Sequence, residues 1–395
     1  MLFSIGKDMY LKKNENILFG RMRTHAVLPI AFIFCFISGP GLSLPQSLDI
    51  GKNNTGFSIG NSKNWTGLRI NVCDSEVERI RGVNITLWKS QQESQAVITG
   101  LSLGLVGPQA AVLRGVQAGG AGVMACRKLS GVSLGLLGVA SRERMTGIAI
   151  GGLGAASGDT LTGIAIGGLG AGAKKSVKGV VIGGLAAGAG ENITGITLGG
   201  FAAGSGMNMK GVTLAGLAAG AGMNTKGVVI GGLAAGAGMN AENILIGGLA
   251  AGAGMNGKGV LIGGLAAGAG MNMAGVVIGG LGAGAGMNAH GVIFGGLAAG
   301  AGEDLTGISF GGLAAGAGRN AKGMIIGSLA AVTGKDMTGF TLGAFNIIRG
   351  SHTGLAIGIM NYTRSLNGVQ LGLVNHVREN PKYLRTLPFV NAHFQ

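Results

Sequence analysis

The sequence predicts an all-β fold, a β-solenoid of about 18 coils on a sixteen-residue repeat. Three observations carry the prediction. Glycine returns every sixteen residues from Gly115 through Gly339, with Asn243 standing in once. Each of these positions is followed by an aliphatic, a tolerant and a second aliphatic residue (Ala118 is an early exception), which is the two-residue period of a strand. Glycine fills 84 of 395 positions while charged residues make up 11% and aromatics 5%, far from the balance of an ordinary globular domain. Six prolines and no Gly-X-Y register exclude collagen, and 47% hydrophobic residues exclude a solvated, disordered chain.

Residues 1–45 read as a secretion signal. Lys12, Lys13, Arg21 and Arg23 precede an apolar run from Ala26 to Ile37, and Gly41-Leu42-Ser43 offers small residues for cleavage. The run is shorter than the roughly 20 residues of a comfortable bilayer span, although a retained anchor is the alternative. Cys35 follows Phe34, a poor context for lipoprotein processing. Residues 46–99 carry weaker copies at Gly67 and Gly82 and are expected to form irregular repeats and a cap. Residues 100–380 form the regular repeat domain, and residues 381–395 a second cap.

The coil that begins at Gly227 shows the grammar, and its residues number the repeat from position one to position sixteen. Val228 and Ile230, at positions two and four, should lie on one strand face. Leu233, at position seven, restarts a short strand after the Gly231-Gly232 step. Val228, Ile230, Leu233 and the small Ala residues are therefore expected to form the aligned interior rows. The third position, which tolerates Thr197, Thr213, Ser309 and Gln370, alternates away from them. About five glycines per coil would cost a helix roughly 1 kcal/mol each, and β-branched residues at the repeated positions also favour strand. One coil cannot stand alone, because three buried aliphatics at roughly 1.5–3 kcal/mol each do not offset the ordering of sixteen residues at roughly 1–2 kcal/mol each. Stacked about 4.8 Å apart, the coils would make a rod roughly 85 Å long.

Position one holds Gly211, Gly227, Asn243 and Gly259 in successive coils, the two residue types that most readily take positive φ. It is read as a left-handed turn residue, with Asn224 and Asn240 bonding the backbone of the adjoining corner. Met223, Met239, Met255 and Met271 recur at one corner position. They form either plugs over the end of the core or a soft contact stripe.

A transmembrane barrel is the competing architecture. A twelve-residue strand from Gly227 to Gly238 would suit a membrane, and charges gather at the corners. The missing aromatic girdles, the absence of a polar lumen and corners that do not alternate in length oppose it.

The last units show Gly339-Phe340-Thr341-Leu342-Gly343-Ala344-Phe345-Asn346, then a copy ending in Asn361 and another ending in Asn375. This pattern resembles the short-repeat surface proteins of spirochaetes and other Gram-negative-type bacteria, the leptospiral-type surface repeat family. The resemblance is close over residues 339–394 and looser over 100–338, where Ala234 and Gly282 stand in the row of Asn346, Asn361 and Asn375. It implies an exported, surface-associated protein and names no catalytic or binding residue. Phe394 near the end is also similar to the aromatic ending of outer-membrane barrels.

No reacting constellation can be assembled. His290 and His352 read as exposed corner residues, the Gly-x-Gly triplets lack the lysine or helix context of a phosphate loop, and isolated Asp159, Asp304 and Asp336 do not make a calcium repeat. No catalytic residue, metal ligand or cofactor is expected. Cys73 and Cys126 are read as buried thiols rather than a disulfide. The net charge of +15 suits an anionic surface, but it is scattered and short of aromatics, so no nucleic-acid partner is expected. The expected role is a non-catalytic structural or adhesive element at the bacterial cell surface, in contact with the outer membrane or surface polysaccharide. Self-association through uncapped strand edges is a further expectation. An outer-membrane barrel acting as a channel is the alternative.

Overall fold

A computed structural model describes residues 47–88 and 95–394. The signal reading over residues 1–45, Cys35 included, lies outside them. The described residues form a β-solenoid of about 19 turns with sixteen-residue spacing.

Each regular coil has two strands, a long one such as Asn224–Gly231 and a short one such as Ala234–Ala237, separated by bends. Every strand pairs in parallel with its equivalent one coil away: Asn224–Gly231 lies against Asn208–Ala215 on one side and Asn240–Gly247 on the other, in register over all eight residues. The ladder runs through both corners. Leu233 N–H bonds the Leu217 carbonyl at 2.8 Å, and Met239 N–H bonds the Met223 carbonyl at 2.7 Å. This parallel register overturns the barrel alternative, in which neighbouring strands run in opposite senses around a hollow.

The described part of residues 46–99 keeps irregular repeat lengths, with Gly56, Gly67, Gly82 and Gly100 aligned in register, yet it joins the same stack. Thr55–Gly60, Asn64–Asn71, Arg79–Thr86 and Val97–Gly104 stack in parallel as coils of the same sheet. Among the described residues, antiparallel pairing occurs only at the two ends. Ser47–Lys52 folds back on Thr55–Gly60, and Thr386–His393 folds back on the segment from Gly368 to His376. An antiparallel strand ends a parallel stack because it presents a different hydrogen-bond pattern to any further coil.

Alanines line the interior as expected, but the large aliphatic rows are inverted relative to the expectation. Val229, at position three, is 1% exposed, whereas Leu233 is 46% exposed and Val228 and Ile230 project outward half-covered. The inner rows are positions three, nine, eleven and fifteen, which in this coil are Val229, Ala235, Ala237 and Ala241. Thr197, Thr213, Ser309 and Gln370, which looked solvent-tolerant, are each 0% exposed.

The physical reason is a compensation of volume across a narrow core. Position fifteen and the following position three face the same interior, and they trade size along the stack. Leu161 stands with Ala165, Ile193 with Thr197, Ala241 with Leu245, Ala289 with Ile293, and Leu305 with Ser309. The contact is direct at Met209 and Thr213, where hydroxyl and sulfur are 2.7 Å apart. At Gly257 a Cβ would lie 2.5 Å from the Met273 sulfur and 3.4 Å from Leu261 Cδ2, so that glycine is the small partner of a large neighbour. The third position varies because it is half of a packed pair.

Position one has positive φ throughout, +124° at Gly211, +122° at Gly227, +94° at Asn243 and +114° at Gly259. These residues do not form a corner as read from the sequence; they sit inside the long strand. A Cβ on Gly227 would collide with the Gly211 carbonyl oxygen, so close coil-to-coil approach joins the backbone angle in selecting glycine.

Candidate interaction surface

The inverted faces leave an apolar exterior. On the outer side of the long strand, position two carries Ile196, Val212 and Ile244, and position four carries Leu214, Ile278 and Phe294, all more than a third exposed. The corner that follows carries position seven, with Trp88 at 63%, Phe201 at 54% and Leu233 at 46% exposure. From Leu101 to Val374 no charged residue occupies positions two, four or seven. Parallel register stacks like on like, so Phe294 and Phe310 lie ring on ring with centroids 4.9 Å apart. Between the position-four and position-seven rows the Gly-Gly steps leave a shallow gutter. A hollow of about 600 Å3 lies along it where Ala118 interrupts the position-four row, and one of about 580 Å3 where it passes Leu198 and Leu214.

Position sixteen borders this exterior. Arg81, Arg114, Lys178, Lys210, Lys226, Lys258 and Lys322 are all exposed there, with Glu242 the acidic member of the row. Glu242 pairs with Lys226 at 3.1 Å, a surface ion pair between coils that contributes little to stability.

The asparagines read as turn residues form a ladder. Asn224 Nδ2 donates to Asn208 Oδ1 at 2.8 Å, Asn240 Nδ2 donates to Asn224 Oδ1 at 2.8 Å, and the chain of amides runs unbroken from Asn192 to Asn288. Their side chains therefore bond between coils, where a bond to the adjoining turn backbone was expected. Asp304, Asn320 and Asp336 extend the row, and the hydrogen bond from the Asn320 backbone N–H holds the Asp304 carboxyl below the usual carboxylate range.

Asn346, Asn361 and Asn375 make a second, buried ladder. Asn346 Nδ2 donates to Asn361 Oδ1 at 2.6 Å and Asn361 Nδ2 to Asn375 Oδ1 at 2.7 Å, while each also satisfies a backbone carbonyl. Register aligns Asn346 with Ala331, so the earlier members of this row are position-nine alanines such as Ala235 and Ala283, not Ala234 and Gly282. Met223, Met239, Met255 and Met271 lie half-buried along one corner.

Two features were not legible. Arg69 occupies position three and is fully buried. Its guanidinium donates to Asp74 at 2.6 Å, Asn84 at 2.8 Å and Asn61 at 3.0 Å, so a buried polar cluster stands beside the apolar core of Trp65, Ile80 and Ile98 in the first coils. His352 was expected in an exposed corner. It is 0% exposed, at position fifteen between Met337 and Leu366. The signal was its place two residues before Gly354, where other coils carry a core residue.

Burial pushes the His352 pKa from 6.5 down to about 4, with neither ring nitrogen in a hydrogen bond. Between those values the unfolded chain binds a proton that the native chain refuses, so stability is full above about pH 6.5 and falls as pH drops toward about 4. The span corresponds to about 3 kcal/mol. His352→Leu is expected to flatten that part of the pH–stability profile, measured by denaturant midpoints.

Cys73 and Cys126 are half-buried and form no disulfide with each other. No group of three or more His, Cys, Asp or Glu is placed to hold a metal among the described residues. The chain matches no family model, no curated protein and no solved structure.

Proposed function

We propose that the chain is an exported, non-catalytic repeat protein that serves as a stiff structural or adhesive element at a bacterial cell surface. The observation that carries this reading is the parallel stack of about 19 coils, in register but for shifts at Ala110/Val112 and Ile348/Ser351, with an antiparallel strand at each end of the described residues. Such a stack transmits load along its length through backbone hydrogen bonds and two amide ladders. Each coil contacts only its neighbours, so length can change by whole units without altering the fold. The resemblance of the closing repeats to leptospiral-type surface proteins and the signal-like opening segment support export. The methionine stripe and the aliphatic exterior offer lateral contact surfaces, with the outer membrane or surface polysaccharide as partners.

Fractionation of the producing cell tests the reading. The chain is expected in the envelope and open to externally added protease or antibody on intact cells. Recovery in the cytoplasm, with no surface labelling, would contradict it.

A further inference from the structure

We propose that the apolar exterior is a docking face for an anionic lipid bilayer, on which the solenoid lies lengthwise. The inference deepens the surface role proposed above and rests on it for location, but the docking face is argued from the coordinates alone.

The first argument is size. Three outward rows repeated about every 4.8 Å over the stack cover on the order of 1,500 Å², against the roughly 300–600 Å² of the largest apolar patch on an ordinary monomer. The second is charge. The row two residues before position two holds seven exposed cations and one acid, and the chain carries +15 overall, so the apolar face is bordered by groups that attract lipid phosphates. A second copy of this chain would bring the same positive excess against itself, whereas an anionic bilayer complements it.

The third argument is shape. The gutter between the rows is floored by glycine and walled by aliphatics. At Ala118 it holds the hollow of about 600 Å3, flanked by Leu105 at 71% and Leu136 at 73% exposure. That is a slot for hydrocarbon, with two leucines standing proud of the surface around it. Trp88, in the position-seven row, is an amphipathic ring at the depth where an interfacial headgroup layer would lie.

The test uses the full chain and sedimentation with vesicles of equal parts phosphatidylglycerol and phosphatidylcholine, beside vesicles of phosphatidylcholine alone. Binding is expected to favour the anionic vesicles and to weaken with salt. Lys178→Gln, Lys210→Gln and Lys258→Gln together should weaken it by about fivefold per lysine. Leu233→Ser, Leu249→Ser and Leu265→Ser together should reduce binding to both vesicle types. Trp88 fluorescence should shift to the blue on binding, while buried Trp65 reports no change.

All variants keep residues 1–46, so a difference between arms comes from the substituted face, and the Trp88 shift reports contact at that face apart from any attachment through the apolar run. Equal binding by wild type and both triple variants, with circular dichroism intact, overturns the proposal. Lipid-independent dimers that the leucine variants dissolve, with no vesicle binding, also overturn it and assign the face to a second copy. In either case the surface role stands or falls on fractionation, which these outcomes do not touch.

Discussion

Leu245→Ala is expected to cost about 2–5 kcal/mol, the range for truncating a buried leucine into a site that cannot collapse. Leu245 is 1% exposed, and parallel strands on both sides fix the backbone around it. Its partner across the core is Ala241, 3% exposed. Ala241→Leu alone should cost about 1–3 kcal/mol by overpacking. The two changes together restore the summed volume, so the double variant should recover at least about 2 kcal/mol of the combined loss, a coupling of the size expected for residues in contact. Leu233→Ala, on the exterior, should stay within about 0.5 kcal/mol. Chemical denaturation of the four variants gives the cycle. Additive losses at 241 and 245 would mean that the two rows do not share one interior.

Arg69→Ala carries the other large expected effect, about 3–5 kcal/mol lost from the first coils. Arg69 and Asp74 side chains are 0% and 4% exposed, so Arg69→Ala takes a 2.6 Å ion-pair contact away from a buried carboxylate. Asn84 and Asn61 also lose the guanidinium from which they accept, while Asn71 and Thr86 still donate to Asp74. Nearest-neighbour coupling in a solenoid confines the damage. Amide hydrogen exchange is therefore expected to accelerate over residues 55–104 and to stay slow beyond residue 200. Uniform acceleration along the chain would show that the N-terminal coils nucleate the entire stack.

The period and the strand alternation were readable because backbone geometry writes them directly: glycine where φ must be positive, aliphatics every second residue, a break at Gly-Gly. Which face turns inward was not readable from the same pattern. Val228 and Ile230 look like core because they are large and constant, and Thr197 and Ser309 look like surface because they are small and polar. The core decides otherwise, since a narrow interior needs one large residue per pair, and Ile193 or Leu305 supplies it from the other row. The same blindness covers His352 and Arg69, whose burial follows from register counted across coils and not from their own chemistry. The asparagine corners were found by composition, but their bonds run between coils because parallel register brings identical amides within reach.

The outward direction of the aliphatic rows is the claim on which the surface reading stands, and thiol protection tests it most directly. In a chain with Cys35, Cys73 and Cys126 replaced by serine, cysteine is placed singly at Val228, Val229 and Ile230. Reagent should label Val228→Cys and Ile230→Cys in the native protein and reach Val229→Cys only after denaturation. Rapid labelling at 229 with protection at 228 and 230 would return the aliphatic rows to the interior and remove the docking face.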